Sequence, residues 1–128
     1  MKEAGVLIDL DDDKPIYWHA PAGRSCVSLP DSRSLWDLIW EHRDKRLGFA
    51  HSHPGSGIPA PSHEDLTTFR AVESALGKPL AWWIASGNVL VQVALIEVAP
   101  HLDYAVAQIE QLPDWFEELQ RLSHSQED

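Results

Sequence analysis

One stretch limits the folds open to this chain more than any other, namely residues 51–65, HSHPGSGIPAPSHED. It opens with His51 and His53, continues through a segment rich in proline and glycine, and ends in the polar tetrapeptide 62–65. The apolar residues 47–50 precede it, so a buried strand is predicted to run into the first histidine. The stretch therefore requires a strand to end and a helix to begin within one short connecting loop.

The two histidines are predicted to point to the same side of that strand. Side chains alternate with period two and each residue advances the chain by ~3.3 Å, which places His51 and His53 roughly 6.6 Å apart along the backbone. Both imidazoles can then lean onto one cation. A third ligand from the start of the next helix would leave a fourth position for water, which is how catalytic zinc is usually held.

The same residues also allow a structural interpretation without any metal. Ser62, followed three residues later by Asp65, has the form of a capping box, which occurs at helix starts that have no catalytic role. Pro54 on this interpretation only ends the strand. The succession of the histidine pair, the loop and the helix start favours the metal site.

The remaining sequence predicts one α/β domain over residues 1–128, without internal repeats or linkers. Apolar runs bounded by turn residues predict strands at 5–10, 16–18, 25–29, 47–50, 80–85 and 89–98. The last of these alternates little, so it is expected to be central and buried on both faces, and Pro100 is expected to end it. Residues 104–110 fit either a helical turn or a strand.

Helical spacing of apolar residues predicts three helices. They run from Ser32 to about Arg46 with Ser34 or Asp31 as the cap, from Ser62 to Gly77, and from Asp114 through Leu122. Residues 123–128 are polar and are expected to form a frayed tail.

Four tryptophans carry weaker signals. Trp82 and Trp83 are neighbours on a predicted strand and must face opposite ways. Trp36 and Trp40 share a helix face, for which core packing is favoured over a partner surface.

Composition and charge exclude several classes of protein. The formal net charge of -10 argues against nucleic-acid binding, which needs a basic face. No apolar run approaches the ~20 residues of a membrane span. A single cysteine, Cys26, suits a reducing compartment. We therefore expect a soluble cytoplasmic protein without nucleic-acid or membrane partners.

The motif His51-Ser52-His53-Pro54, followed by Ser62-x-x-Asp65, resembles the JAMM signature of the JAB/MPN metalloprotease family, in its small prokaryotic type. The resemblance implies a cytidine-deaminase-like mixed sheet flanked by helices. It also implies that His51, His53 and Asp65 are Zn²⁺ ligands and that Ser62 helps to stabilise an oxyanion. The specific part of the resemblance covers only residues 48–65.

The spacing departs from the family pattern by one residue. The family usually has ten residues between the second histidine and the aspartate, whereas residues 54–64, eleven in number, separate His53 from Asp65 here. Strict counting would select Glu64, which is also a possible oxygen ligand. Asp65 is preferred because it preserves the Ser-x-x-Asp register, which leaves the additional residue in the loop, where insertion is best tolerated.

The general base is the second point at which the sequence departs from the family pattern. The family has a glutamate near the start of its first core strand, and Glu3, shortly before the apolar run 6–8, fits that pattern with one residue fewer before the glycine. A solvated, fraying terminal glutamate is the competing interpretation. Glu41 is a weaker candidate because it lies on the polar face of a predicted helix.

The resemblance implies a metalloprotease or isopeptidase that hydrolyses the bond after the C-terminal tail of a ubiquitin-like or sulfur-carrier protein. Such tails lie extended and can add to a sheet edge. The alternative is a catalytically inactive MPN-like or RadC-like interaction module. A cupin-like metal site is disfavoured by the prominent helices and by the lack of a glutamate at short spacing after His53.

Overall fold

The computed structural model of the protein describes residues 1–98 and 101–124. Six strands and three helices follow one another in these ranges. The strands are β1 (Gly5–Asp9), β2 (Lys14–His19), β3 (Leu47–Ser52), β4 (Ala81–Ser86), β5 (Val89–Val98) and β6 (His101–Gln108). The helices are α1 (Arg33–Glu41), α2 (His63–Leu76) and α3 (Asp114–His124).

All the strands lie in one six-stranded sheet with the order β2-β1-β3-β4-β5-β6. β3 and β4 are parallel and are connected through α2, while the other neighbouring strands are antiparallel. The chain is thus a single α/β domain with a mixed sheet, as predicted. Because β3 and β4 are central, residues at the end of β3 lie in the middle of the sheet.

Helices cover both faces of the sheet. On one face, which we call the site face, α1 and α2 pack on alternate strand residues, among them Leu7, Phe49, Trp82 and Val91. On the other face, the α3 face, the intervening residues pack on α3, among them Val6, Ala50 and Leu90. Trp82 and Trp83 lie on opposite faces, as the alternation predicts.

Two glycines in the central strands let aromatic rings cross the backbone. The ring of Phe49 lies where a Cβ of Gly5 would be, and the ring of Trp83 lies where a Cβ of Gly48 would be. Any side chain at these positions would displace a packed ring. The absence of a side chain at Gly5 and Gly48 therefore allows the rings of Phe49 and Trp83 to pack directly against the backbone of β1 and β3.

One predicted element differs in type from the observed one, and one open alternative is decided. Residues 25–29 were predicted as a strand but form an irregular loop, because the amide of Ser25 donates to the carbonyl of Ser28 at 2.9 Å and closes a local turn. Residues 104–110, left open between helix and strand, belong largely to strand β6.

Helix α1 is shorter than predicted. Its cap is Ser32, whose hydroxyl accepts the amide of Leu35, and not Ser34 or Asp31. The helix ends at Glu41 instead of near Arg46, since His42 leaves the helical conformation and accepts the amide of Lys45 at 2.9 Å. Arg43, Lys45 and Arg46 therefore lie after the helix and not in its last turn.

The C-terminal prediction was also too short. Ser123 and His124 belong to α3, and Ser123 is only 2% exposed, so it does not begin a frayed tail. The rest of the predicted tail, residues 125–128, lies outside the described residues. So does Pro100, which was predicted to end the strand 89–98.

Burial predictions failed at two places. Strand β5 is interior in the sheet order but is not buried on both faces throughout, because Ala94 and Ile96 are exposed. Trp36 and Trp40, expected in the core, are 37% and 46% exposed and stack on one another. Arg43 lies over the ring of Trp40, at 4.4 Å from its centroid.

Candidate metal centre

The histidine pair lies at the carboxyl end of β3 on a backbone held from both sides. The amide of Ser52 donates to the carbonyl of Ala4 at 2.9 Å, and the amide of His53 donates to the carbonyl of Ala85 at 2.8 Å. These bonds continue the pairing of β3 with β1 and β4 beyond the last residue of the strand. His51 and His53 therefore project from a fixed backbone on the site face.

The two imidazoles converge on one another and on a carboxylate. The Nε2 atoms of His51 and His53 are 2.9 Å apart. Asp65 Oδ1 is 3.2 Å from Nε2 of His51, and Asp65 Oδ2 is 3.1 Å from Nε2 of His53. The prediction that these three residues come together is thus matched by their positions.

This spacing is what a small tetrahedral ion requires of its ligands. Nitrogen and oxygen atoms at ~2.0–2.1 Å from Zn²⁺ in a tetrahedron stand roughly 3.3 Å from one another. The distance between the two Nε2 atoms, 2.9 Å, and the distances from Asp65 to the two imidazoles, 3.2 Å through Oδ1 and 3.1 Å through Oδ2, are close to that value. Two imidazoles and one carboxylate are also a donor set that zinc prefers, so the residues fit the ion.

The capping box of α2 orients Asp65. The amide of Asp65 donates to the hydroxyl of Ser62 at 3.0 Å, and the amide of Ser62 donates to Asp65 Oδ2 at 2.8 Å. The structural and the metal-site interpretations of Ser-x-x-Asp are therefore compatible, because one capping bond holds the carboxylate that faces the histidines. Glu64, the alternative from strict counting, is exposed and lines the same cavity.

Glu3 lies beside the histidine pair because of the register of β1 and β3. Gly5 is paired with His51, and extending this antiparallel register by two residues sets Glu3 opposite His53. The ligand atoms of Glu3 and both histidines lie within 4.8 Å of one another. Glu3 is only 7% exposed, and its amide donates to the carbonyl of Ser25 at 2.7 Å, so this part of the terminus is not frayed.

A seam of hydroxyl groups on the α3 face anchors the segment that carries Glu3. The hydroxyl of Ser52 accepts the amide of Ala4 at 3.0 Å and donates to the hydroxyl of Ser123 at 2.9 Å. Ser123 in turn donates to the carbonyl of Lys2 at 2.7 Å. We call Ser52, Ser123 and the backbone of residues 2–4 the serine seam.

Arg24 reinforces this anchoring and was not singled out in the sequence. Its guanidinium donates to the carbonyls of Glu3 at 3.3 Å and of Leu122 at 3.2 Å, and the side chain is buried. Sequence reasoning also missed Ser52 and Ser123. The available signal was that Ser52 lies between the two histidines and so must point to the opposite face.

Burial and neighbouring charges shift the pKa values of the acidic groups in opposite directions. Burial raises the pKa of Glu3, with the nearby histidines opposing the change and Asp65 adding to it. Burial would also raise the pKa of Asp65, but hydrogen bonds from His51 and His53 hold it well below its ordinary value. The pKa values of the two carboxyl groups in this site are thus shifted in opposite directions.

The pKa of His53 is raised. Burial alone would lower it, but the hydrogen bond and the charge of Asp65, together with the charge of Glu3, favour the imidazolium form. The site is therefore strongly negative around its imidazoles, an environment that also favours a cation.

A cavity of about 650 Å³ opens from this cluster. Its wall includes Glu3, His51, His53, Ser62 and Asp65, and it extends between α1 and α2. The candidate centre is therefore reachable by a molecule much larger than water.

Two further predicted candidates lie outside the cluster. Glu41 is exposed at the end of α1, where it contacts His42 at 3.9 Å. His63, which could have been a neighbour of the site or an exposed residue of the first helical turn, is exposed at the first turn of α2.

Comparisons of the chain with protein-family models and with curated proteins give no match. Within the part of the chain that the structure describes, the helices lack the length and apolarity needed to cross a bilayer.

Proposed function

We propose that the protein is a JAMM-type zinc metallopeptidase with a JAB/MPN-like domain, which hydrolyses the peptide or isopeptide bond after the tail of a ubiquitin-like or sulfur-carrier protein. The observation that carries the proposal is the convergence of His51, His53 and Asp65 at ligand spacing. The mixed sheet flanked by helices is consistent with it. The substrate class rests on the resemblance of the motif alone.

His51, His53 and Asp65 would hold the ion. Zn²⁺, when bound, supplies a Lewis acid and makes water a stronger acid at neutral pH. The buried position of His51 and the capping bond on Asp65 fix two of the three ligands before any ion arrives. Preorganisation of this kind lowers the cost of assembling the site.

Glu3 is the candidate general base and acid. It is buried against the two imidazoles, and its raised pKa brings it nearer to the pH at which proton transfer is efficient. In this role its carboxylate takes a proton from the attacking water and returns it to the leaving amine. A general base so placed typically contributes 10²–10⁴-fold in rate.

Ser62 is the candidate oxyanion donor. Its oxygen accepts the amide of Asp65, which uses a lone pair and leaves the hydroxyl proton for donation to a substrate oxygen. Removing one such donor in other enzymes costs a few kcal/mol of transition-state stabilisation.

The position of Glu3 is an argument against the catalytically inactive alternative. An interaction module needs the loop geometry but has no use for a buried carboxylate opposite the histidine pair. In this protein the serine seam and Arg24 hold that carboxylate in place at the cost of burying several polar groups.

Metal content and hydrolysis test the proposal together. Purified protein is expected to hold one zinc per chain and to cleave a linear ubiquitin-like fusion, and His53→Ala is expected to lose both. His63→Ala removes an exposed imidazole outside the cluster and is expected to keep both. Wild-type protein that binds no zinc from a zinc-replete buffer overturns the proposal.

A further inference from the structure

The cavity beside the candidate centre continues into apolar surroundings. Large apolar side chains form its deeper wall: Leu29, Leu35, Phe49, Phe69, Val72 and Trp82. The indole N–H of Trp82 does not need a partner in the cavity, because it donates to Glu73 Oε2 at 2.8 Å. The deeper wall therefore presents mainly apolar surface, while polar residues line the cavity both at the histidine cluster and at His19, Ser28, Asp31 and Ser32.

The size of the cavity is informative about what enters it. At about 650 Å³ it falls in the range of ordinary ligand pockets. A substrate residue without a side chain would leave the apolar part filled only with water. Desolvating this wall is favourable only when an apolar group replaces the water.

The charge of the wall also restricts the occupant. Among the described residues that line the cavity, the acidic ones are Glu3, Asp31, Glu64 and Asp65, and neither lysine nor arginine is present. A carboxylate or phosphate in the apolar part would therefore have no cationic partner, and burial of an unpaired charge is costly. An uncharged occupant is favoured.

Exposed apolar side chains also line the cavity. Val27 and Trp36 are among the exposed large apolar side chains of the molecule, and the exposed residues Asp31 and Thr68 line the cavity with them. The apolar part of the lining therefore includes side chains that reach the solvent. This arrangement suits a chain segment that brings an apolar side chain in from outside.

We propose that this cavity binds a bulky apolar side chain, aromatic or long aliphatic, of the residue that follows the carrier-protein tail and supplies the amine of the scissile amide. The proposal deepens, and rests on, the proposed amide hydrolysis. It is carried by one cavity lining that includes both the histidine cluster and large apolar residues. A substrate with glycine as the residue after the tail would leave the apolar residues of the lining without a partner.

Binding of small amides to the metal-free protein tests this without hydrolysis. The probes are N-acetyl-phenylalanine methylamide and its glycine analogue, followed through the indole N–H signals in NMR spectra. The phenylalanine probe is expected to bind at least tenfold more tightly, which corresponds to about 1.4 kcal/mol. It should shift the signal of Trp82 and leave that of Trp115, on the α3 face, unchanged.

A matched pair of variants on α2 locates the binding. Thr68 is exposed and lines the cavity, whereas Ala71 is exposed on the same helix and is not among the lining residues. Thr68→Trp is expected to abolish the tenfold preference, and Ala71→Trp to preserve it. Since both positions are exposed, both variants should fold, which circular dichroism checks.

The outcomes separate this inference from the proposed function. Equal binding of both probes, or a preference that survives in Thr68→Trp, overturns the inference even if zinc-dependent hydrolysis is found. Tight binding of the phenylalanine probe by a protein that takes up no zinc supports the cavity and overturns the enzyme. A wild-type dimer that Thr68→Trp converts to monomer would assign the cavity to a second copy of the chain and overturn the inference.

Discussion

His51 and Ser52 are adjacent in β3, yet they lie on opposite faces of the sheet and differ in what surrounds them. His51 faces Phe69, Asp65 and a cavity on the site face, while Ser52 is enclosed against Ala4 and Ser123 on the α3 face. Helix α3 packs on the α3 face, whereas α1 and α2 on the site face leave a cavity between them. The comparison shows how one strand serves a candidate reaction on one side and the stability of the fold on the other.

The faces are coupled through the N-terminal segment. Glu3 reaches the site face, but the bonds that hold its neighbours Lys2 and Ala4 come from the α3 face. The difference between the two faces leads to two kinds of prediction. Changes in the polar residues of the histidine cluster should alter chemistry with little effect on folding, and changes in the core of the α3 face should do the reverse, except in the serine seam.

The largest effect is expected from Glu3→Gln. Glutamine keeps the shape of the side chain but cannot accept the proton, so kcat/KM for cleavage of a ubiquitin-like fusion should fall by about 10²–10⁴-fold. Zinc content should remain at the wild-type level. Glu41→Gln, an exposed change on α1, is the control; cleavage at full rate by Glu3→Gln would remove Glu3 from the mechanism.

Next in size is Leu119→Ala on the α3 face. Leu119 is fully buried, and truncating a buried leucine typically lowers the free energy of unfolding by about 2–5 kcal/mol. Urea denaturation measures the loss. The folded variant should still bind zinc and hydrolyse substrate like the wild type, and loss of zinc from folded Leu119→Ala would contradict the separation of the two faces.

A smaller effect, on both properties, is expected from Ser123→Ala. The change removes the acceptor of the Ser52 hydroxyl and the side-chain donor to the carbonyl of Lys2, at a cost of about 1–3 kcal/mol in unfolding free energy. Because the same bonds position Glu3, kcat should also fall while zinc content stays constant. Ser74→Ala, on the exposed side of α2, should change neither quantity; unchanged kcat in Ser123→Ala would show that the seam acts on stability alone.

The smallest effect is a pH dependence from His19, at the outer end of β2. Burial lowers the pKa of His19, with the hydrogen bond to the carbonyl of Pro30 and the charge of Asp31 opposing the change. The unfolded chain therefore binds a proton near pH 6.5 while the folded chain does not, so stability falls as the pH decreases below about 6.5. One proton contributes at most about 1.4 kcal/mol per pH unit.

His19→Gln tests this pH dependence because it retains a donor for Pro30 but does not titrate. The difference in unfolding free energy between wild type and variant, measured in urea from pH 7.5 to 5, should shift in favour of the variant as the pH falls. A difference that stays constant across this range would contradict the sign.

Local sequence patterns were sufficient for most of the fold. The strand into His51, the helix from Ser62 to Gly77 and the hairpin of β4 and β5 follow from periodicity and turn residues. Predictions failed where the apolar character of a segment suggested one structure and its tertiary surroundings produced another. Apolar character in residues 25–29 did not produce a strand, and β5 alternates little although part of it is exposed.

The convergence of His51, His53 and Asp65, the candidate ligand triad, was predictable because these residues are close in sequence. His51 and His53 share a strand face by period two, and the capping box fixes the register of Asp65 relative to the helix start. The sequence by itself therefore determined the pair, the helix and the choice between Glu64 and Asp65 as the residue facing the imidazoles.

Only the tertiary structure decided what lies around the triad. Glu3 is distant in sequence, and it lies opposite His53 because two strands pair in one register. Ser123 reaches Ser52 because α3 returns across the sheet, and the cavity exists because α1 and α2 leave apolar wall uncovered. Contacts of this kind depend on the packing of distant segments, which local periodicity does not encode.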